Sequence, residues 1–593
     1  MSQQLASQTV LPFILLIIIF TFAQQSPASA SGWSLIEGAR AHPEYRGQTP
    51  KKSDVVFSTR SKRPEALEAA KSFGATRVEW VYTTDAEFAS QLKRSVGWFG
   101  GALNSITKLP SEAGVAKDFD GHSIMNPRMK AWGTYWNTTT HPDTEKALRA
   151  QAKKYLEMGA DSIQIDDPLL QLYAGYLWGG DFNQMTLAGF PKFLASYPDH
   201  GEIKQAGLTD FSGDYKEFLK NKFGIRDAKD YAHQQTSLPT TVIWLKYLRQ
   251  TVIDHFTGLR QFLSKASGAP VPLSMNLTFL DSPSEGNRHF FLAGLADYSM
   301  AETPVGDSLD LQLRAATARG LGIGFVPSIK PKDTASNRVA IATIYALGGN
   351  PVVPWDVYVG NDETGQPKRM FGTPEEYGDL YRFVRKHPEL FDNREQSAVV
   401  GIPIPVDKYD EKATMALVGK LDQRRIPFAL VPTGGTQIGG LAIDPDRNEH
   451  FKMLIMVNPD TDFNAGDLKT LRSFSVQRID ASQLSDTTLD GLTPFVVLSK
   501  APDLKLYPRA STQAGGRVQL VVHLIDEARG AAAFPEPHCT RRVSLRRGLD
   551  VEEVDWYARD NKITLNLTRN QGEVFVMVPE CTLWGVLAVT LKK

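Results

Sequence analysis

Met158-Gly-Ala-Asp-Ser-Ile-Gln-Ile-Asp-Asp-Pro168 decides how the rest of the chain is read. A helical pattern hands over here to a short apolar run that closes on two adjacent carboxylates. Side chains alternate along a strand, so Ile163 and Ile165 share one face while Gln164 and Asp166 share the other. Pro168 has no amide donor and disfavours helix at Asp167, so the strand stops with its carboxylates at the carboxyl end. In an α/β barrel that end carries the catalytic groups. The same tripeptide also fits a solvated turn or a helix cap, so the flanking pattern has to choose.

Working outward, the pattern repeats. Asp54-Val-Val-Phe57, Arg77-Val-Glu-Trp-Val-Tyr82 and Val96-Gly-Trp-Phe-Gly-Gly101 are apolar runs separated by helical segments at 64–71 and 86–93. A helix over 144–158 leads into the Ser162–Asp166 strand. After a large insertion near 169–265, Val271–Asn276, Asp297–Glu302, Ile323–Pro327 and Pro351–Asp356 read as strands five to eight. Eight β-then-α units predict an α/β chain folded as a (β/α)8 TIM barrel over 31–394. No Gly-X-Gly-X-X-Gly follows the first strand, and no cofactor is expected. From 395 to 503 the pattern predicts a small doubly wound α/β domain. From 504 to 593 closely spaced alternating runs predict a β-sandwich.

The chain has 593 residues, too many for one core. Lys plus Arg and Asp plus Glu are both 66. That balance gives no reason to expect nucleic acid or an anionic membrane as partner, and suits a neutral substrate. Residues 1–30 combine an apolar run with Ala28-Ser29-Ala30 and read as a signal peptide, implying a periplasmic or extracellular protein with no stable membrane association once cleaved. No Lys or Arg precedes the run, which leaves an uncleaved anchor as the alternative. Cys539 and Cys581, the only cysteines, fall in the terminal β segment and are candidates for one bridge.

Candidate chemistry gathers at the expected carboxyl ends. Asp166 closes strand four and Glu302 closes strand six, a carboxylate pair of the kind glycoside hydrolysis needs as nucleophile or base and as acid. Tyr298, Met300 and Glu302 share one strand face; an apolar, aromatic setting favours a protonated Glu302. Asp166 is expected to face the barrel mouth and Asp167 the loop. Around them Glu79, Trp80, Trp98, His122, Trp132, Trp136, Asp167, Asn276, Trp355 and Asp356 are candidate carbohydrate contacts, since sugars offer apolar CH faces and hydroxyl edges. Glu79 and Asp356 are the next candidates for the acid. Asp118-Phe-Asp-Gly-His122 contains metal-ligand types without a recognised spacing, and no metal is assigned.

The domain order resembles that of secreted bacterial glycoside hydrolases in which a catalytic barrel precedes a glutamine-amidotransferase-like domain and a β-sandwich, as in beta-galactosidases with a trimerisation domain. Val521-Val-His-Leu-Ile-Asp526 is similar to the His-Leu-Ile/Val-Asn strand of their last domain, with Asp526 in place of Asn. Those enzymes carry Asn-Glu on strand four and a Glu nucleophile on strand seven, which this chain does not match. An Asp on strand four with an acid on strand six is similar instead to the alpha-galactosidase clan, where Asp is usual at the second position. That resemblance implies Asp166 as nucleophile and Glu302 as acid/base. A barrel mouth can hold such a pair at the retaining or the inverting separation, which the sequence does not fix; a retaining glycoside hydrolase acting on a poly- or oligosaccharide is the expectation. The first resemblance implies a homo-oligomer built through the middle domain. A catalytically silent carbohydrate-binding protein on the same scaffold is the second reading.

Overall fold

The computed structural model describes residues 43–592 apart from 107, 126–132, 279–285, 397, 407–409, 435–442, 444–447, 449, 493–495, 499–503, 513–517, 528–540, 546–549, 559–560, 571 and 580–582. The expected signal peptide, both cysteines and Trp132 lie outside the described residues.

Nine short strands come first: β1 (Val56–Ser58), β2 (Arg77–Val81), β3 (Phe99–Asn104), β4 (Ser162–Asp166), β5 (Leu273–Met275), β6 (Tyr298–Ser299), β7 (Glu302–Pro304), β8 (Gly324–Phe325) and β9 (Ser328–Lys330). Seven form one parallel sheet in the order β1-β2-β3-β4-β5-β6-β8. The sheet curls until its edges meet residues 350–353. The Asn350 and Val352 amides donate to the Phe325 and Pro327 carbonyls, both at 2.9 Å, and Val353 donates to Val56 at 2.8 Å. Val56 and Val352 form a parallel bridge. Inside the curl Val56, Trp80, Ala102, Tyr298, Met300, Val326 and Val352 make one apolar cluster, as inward side chains of successive strands must when the sheet turns on itself.

Helices α1 (Ala66–Ser72), α2 (Ala86–Val96) and α3 (Pro142–Glu157) cover the outside of the early strands. Their limits follow local chemistry. The Asp85 side chain caps α2 by accepting from the Phe88 amide, and Gly97 ends it at φ +93°. Five helices, α4–α8 (Gln171–Trp178, Gln184–Ser196, His200–Gln205, Tyr215–Phe223, Ala228–Gln234), and the long α9 (Thr241–Ser267) fill the insertion. Phe182, Phe190, Tyr215 and Trp244 pack there ring against ring. Then come α10 (Ser308–Leu321), α11 (Thr334–Ala346) and α12 (Pro374–Lys386), with the antiparallel pair β10 (Val357–Asn361) and β11 (Pro367–Met370) before α12. Among the described residues no helix is long and apolar enough to cross a membrane.

A second parallel sheet, ordered β14-β13-β15-β16, is built from β13 (Val400–Pro405), β14 (Phe428–Thr433), β15 (Met453–Met456) and β16 (Gln477–Asp480), with α13 (Glu411–Gln423) between the first two. It leans on α10, whose Leu313 and Ala316 join the core of that sheet. Two antiparallel sheets follow. One joins β12 (Arg394–Glu395), β18 (Leu504–Ser511), β19 (Val518–Asp526), β25 (Trp584–Leu591), β21 (Val551–Ala558) and β22 (Asn561–Thr564). The other joins β17 (Val496–Leu498), β20 (Arg541–Leu545), β24 (Glu573–Val578) and β23 (Leu567–Asn570). A single cluster including Leu506, Val522, Trp556, Val543 and Val576 fills the space between them. Val496–Leu498, counted from sequence with the second α/β segment, pairs instead with β20.

Candidate active site

The rim at the carboxyl ends of the parallel strands is assembled around Asp166, the last residue of β4. Its face is that of Gln164, which lies inside the curl and donates to the Met300 carbonyl at 3.1 Å. One Asp166 oxygen accepts from the Tyr82 hydroxyl at 2.6 Å and the other from the Asn276 amide at 2.9 Å. Asp167 turns away at φ +50°, and its carbonyl accepts from Ser105 Oγ at 2.6 Å.

Trp80 and Tyr82 reach the rim through an irregularity in β2. The β2–β3 register slips between Val78 and Val81, and Trp80 takes φ +58°. A bulge of this kind re-aims side chains next to functional sites. Without it, alternation from Glu79 would turn Trp80 outward. Trp80 is 1% exposed; its indole donates to Tyr82 Oη at 3.3 Å, and the Arg60 guanidinium lies 3.2 Å above its ring. Trp80 is therefore the floor beneath Arg60 rather than an open platform.

Glu302 opens β7, a strand that pairs with β9 above the main ring, with Glu302 opposite Ser328 and Pro304 opposite Lys330. Lys330 Nζ lies 3.7 Å from its carboxylate. Burial raises the Glu302 pKa above the ordinary carboxylate value; Arg60 and Lys330 pull it back, and the Asp166 charge pushes it further up. Asp356 is buried at φ +54° and accepts from the Arg60 amide at 2.7 Å, with Arg63 at 3.3 Å and Arg369 at 3.8 Å. Arg60 joins these groups: burial lowers its pKa, while the charges of Glu302, Tyr82 and Asp166 raise it.

Asp166, Asn276, Trp80, Glu302 and Asp356 thus come together with Tyr82 and Arg60. Other candidates lie elsewhere. Glu79 is fully buried, its carboxylate taken by Arg77 Nη2 at 2.8 Å, Ser162 Oγ at 2.6 Å and Tyr298 Oη at 3.1 Å, so it is a strut within the curl and not a sugar contact. Trp98 precedes β3, because α2 runs to Val96 and pushes the strand start to Phe99. It therefore sits at the opposite, amino end, donating to Ser162 at 3.0 Å beneath Arg77. The His122 side chain is 78% exposed on a loop, 3.4 Å from Asp118. Among the described residues no three His, Cys, Asp or Glu side chains are placed to hold a metal ion. Trp136 is 1% exposed in a satellite cluster with Ile106, Ala116, Ile124 and Ala174. Trp355 is 7% exposed and packs on Phe57 at 5.0 Å.

Sequence reasoning passed over Tyr82 as a carboxylate partner, Arg60, Lys330 and Phe371. Phe371 is 42% exposed, stands edge-on to Trp355 at 5.2 Å and lies 4.8 Å from the Arg63 guanidinium. The available signal was position: Ser58-Thr-Arg-Ser-Lys-Arg63 is the polar stretch immediately after the first strand, where rim residues of such a fold arise.

No protein-family model matches this chain, and no curated protein matches it. Solved structures do. The chain is similar to alpha-L-fucosidase isoenzyme 2 from Paenibacillus thiaminolyticus, at 12% identity and a TM-score of 0.56, covering 93% of this chain and 100% of that one. A rhamnosidase from Novosphingobium sp. PP1Y matches at 10% identity over 77% of this chain and 48% of that one, with a TM-score of 0.42. A GH27-b-L-arabinopyranosidase from Geobacillus stearothermophilus matches at 10% identity over 91% and 97%, with a TM-score of 0.33. At such identity the first match speaks for the fold: over nearly its whole length this chain is folded like that alpha-L-fucosidase.

Proposed function

We propose that the chain is an exported glycoside hydrolase whose (β/α)8 catalytic barrel carries Asp166 as nucleophile and Glu302 as general acid/base. One observation carries the reading. Two carboxylates at one rim have opposite surroundings: Asp166 accepts from Tyr82 and Asn276, while burial raises the Glu302 pKa. A buried Glu302 that keeps its proton can act as the acid beside Asp166, the division of roles that such hydrolysis needs. Asp166 attacks the anomeric carbon as Glu302 gives its proton to the departing oxygen. Glu302, now a carboxylate, takes a proton from the water that releases the sugar, so the anomeric configuration is retained. Arg60 and Asp356 hold the rim beside them, and the exposed ring of Phe371 offers an apolar face to a sugar.

The fold likeness to an alpha-L-fucosidase makes aryl α-L-fucoside the first substrate to try, within a panel of activated aryl glycosides. Turnover by the intact chain is expected, with a loss of at least about 10³-fold in Asp166→Asn and near-wild-type rates in Asp167→Asn. Equal rates in the two variants end the nucleophile assignment. Saturable sugar binding without turnover across the panel favours the silent binding protein instead. Oligomerisation through 395–503 belongs to the same proposal and is read from the mass of the intact protein in solution.

A further inference from the structure

At the end of the curled sheet opposite Asp166 lies a cavity of about 340 Å³. It is lined by the starts of strands and the turns before them, Gly324-Phe325 and Leu347-Gly-Gly349, and closed by Lys52, Arg319, Arg394 and Arg509. These cations come from four places: the segment before β1, the end of α10, β12 and β18. Among the described residues Glu395 is the single carboxylate in the lining. A second cavity of about 320 Å³ shares Lys52, Arg394 and Glu395 and adds Asp392. Asp392 is already engaged, accepting from the Ser53 amide at 2.8 Å and the Ser53 hydroxyl at 2.7 Å.

We propose that the cavity between Lys52, Arg319 and Arg509 is a binding site for a phosphate- or sulfate-class oxyanion, either free or carried on a sugar. Arg509 carries the argument. It is 1% exposed, and its Nη2 is fixed by the Phe391 carbonyl at 3.2 Å and by the Arg394 carbonyl. Its Nε and Nη1 have no acceptor among the described residues. Leaving buried guanidinium donors unsatisfied is costly, and an oxyanion is the acceptor such donors match. Gly348 permits the arrangement: at φ +87° it lies under the Arg509 guanidinium, and a Cβ there would come within 3.3 Å of Nη2.

The other cations add charge that Glu395 offsets only in part. Among the described residues Lys52 has no ion-pair partner, and burial together with the Arg509 charge lowers its pKa to about 8. Burial lowers Arg319 to about 10, with the Glu395 charge opposing the shift; burial and then the Arg319 charge lower Arg509 to about 9, again against Glu395. Arg319 is held by the Phe428 carbonyl at 2.6 Å. Like charges gathered in a low-dielectric pocket repel, and a bound dianion turns that repulsion into attraction. The space exceeds that of one inorganic anion, so a sugar-borne phosphate fits as well as a free one.

The test is calorimetric titration and thermal melting of the full chain with inorganic phosphate, with a hexose 6-phosphate and with sulfate, against chloride at matched ionic strength. The expected result is one saturable site and a melting temperature that rises with the oxyanions beyond the chloride control. Tighter binding of the hexose 6-phosphate than of inorganic phosphate identifies the sugar-borne source, and the reverse identifies the free anion. Arg509→Met is expected to weaken binding by more than about tenfold. Because Arg509 also holds two carbonyls, Lys52→Gln is the second variant. Among the described residues Lys52 has no ion-pair partner, so this variant should melt no lower than the parent in chloride and yet lose most of the oxyanion response. Oxyanions no more effective than chloride, or a full response in Lys52→Gln, overturn the proposal.

Discussion

Glu302 and Asp166 divide the work at the rim only if their protonation differs, and that makes the pH profile of Glu302 a direct test. A general acid must hold its proton, so kcat/KM should fall as pH rises through the Glu302 pKa, which burial sets above the ordinary value of 4.5. Glu302→Ala should lose this alkaline limb, lose at least about 10³-fold on substrates with poor leaving groups and keep the first step on those whose leaving group needs no proton. Azide should restore turnover at the vacated site. A limb unchanged in the variant would move the acid role to another group. At this scale the sequence was readable wherever alternation was regular: counting by twos from Gln164 reaches Asp166, and from Tyr298 through Met300 reaches Glu302. Counting fails at Trp80, where the bulge puts a residue of left-handed backbone into the strand. It is silent about Arg60, whose role follows from stacking on that displaced indole and from an Asp nearly 300 residues away.

Among the elements, β3 leaves no room for a side chain at Gly100. A Cβ on Gly100 would stand 2.0 Å from Glu79 Oε2 and 2.5 Å from Ser162 Oγ, inside the Arg77–Glu79–Ser162–Tyr298 network. Gly100→Ala is expected to destabilise the chain by about 3 kcal/mol, at the upper end of overpacking costs, as measured by denaturant unfolding. An unchanged midpoint would mean that the network yields. In α9, burial lowers the His255 pKa from 6.5 to about 4, with the Arg149 charge adding to it. The folded state refuses a proton that the unfolded state accepts, so this contribution is intact above about pH 6.5 and is lost as pH falls toward 4. His255→Gln should flatten the decline in stability over that window, and an identical slope would assign the decline to other groups. The short runs 54–57 and 162–166 are readable as strands because apolar residues are bounded by turn residues. The start of β3 was read three residues early because Val96-Gly-Trp looks like strand until the helix before it claims Val96. The split of the sixth strand into β6 and β7 was not readable, since only pairing with β8 and then β9 divides it.

At the scale of the molecule, the sequence pattern predicts a barrel, an α/β segment and a sandwich, but it does not say how much surface they share. The face of β19 and β25 opposite the sandwich core packs on α11 and α12, with Tyr345 and Trp584 stacked at 6.1 Å and Phe383 edge-on to Trp584 at 5.1 Å. Eleven residues of the fourteen-residue α10 are buried, because β8 lies against one side and β14 against the other. A Cβ on its Gly320 would meet the Leu430 carbonyl oxygen at 1.8 Å. Cutting the chain after residue 394 would therefore strip an apolar helix face and an aromatic wall, and residues 43–394 expressed alone should precipitate or bind a hydrophobic dye while the full chain does not. A helix with no solvent side has a further consequence. It cannot lose one neighbour and keep the other, so heat should release the curled sheet and the α/β sheet together, and calorimetry of the intact protein should give one endotherm for the two where independent modules would give two separate peaks.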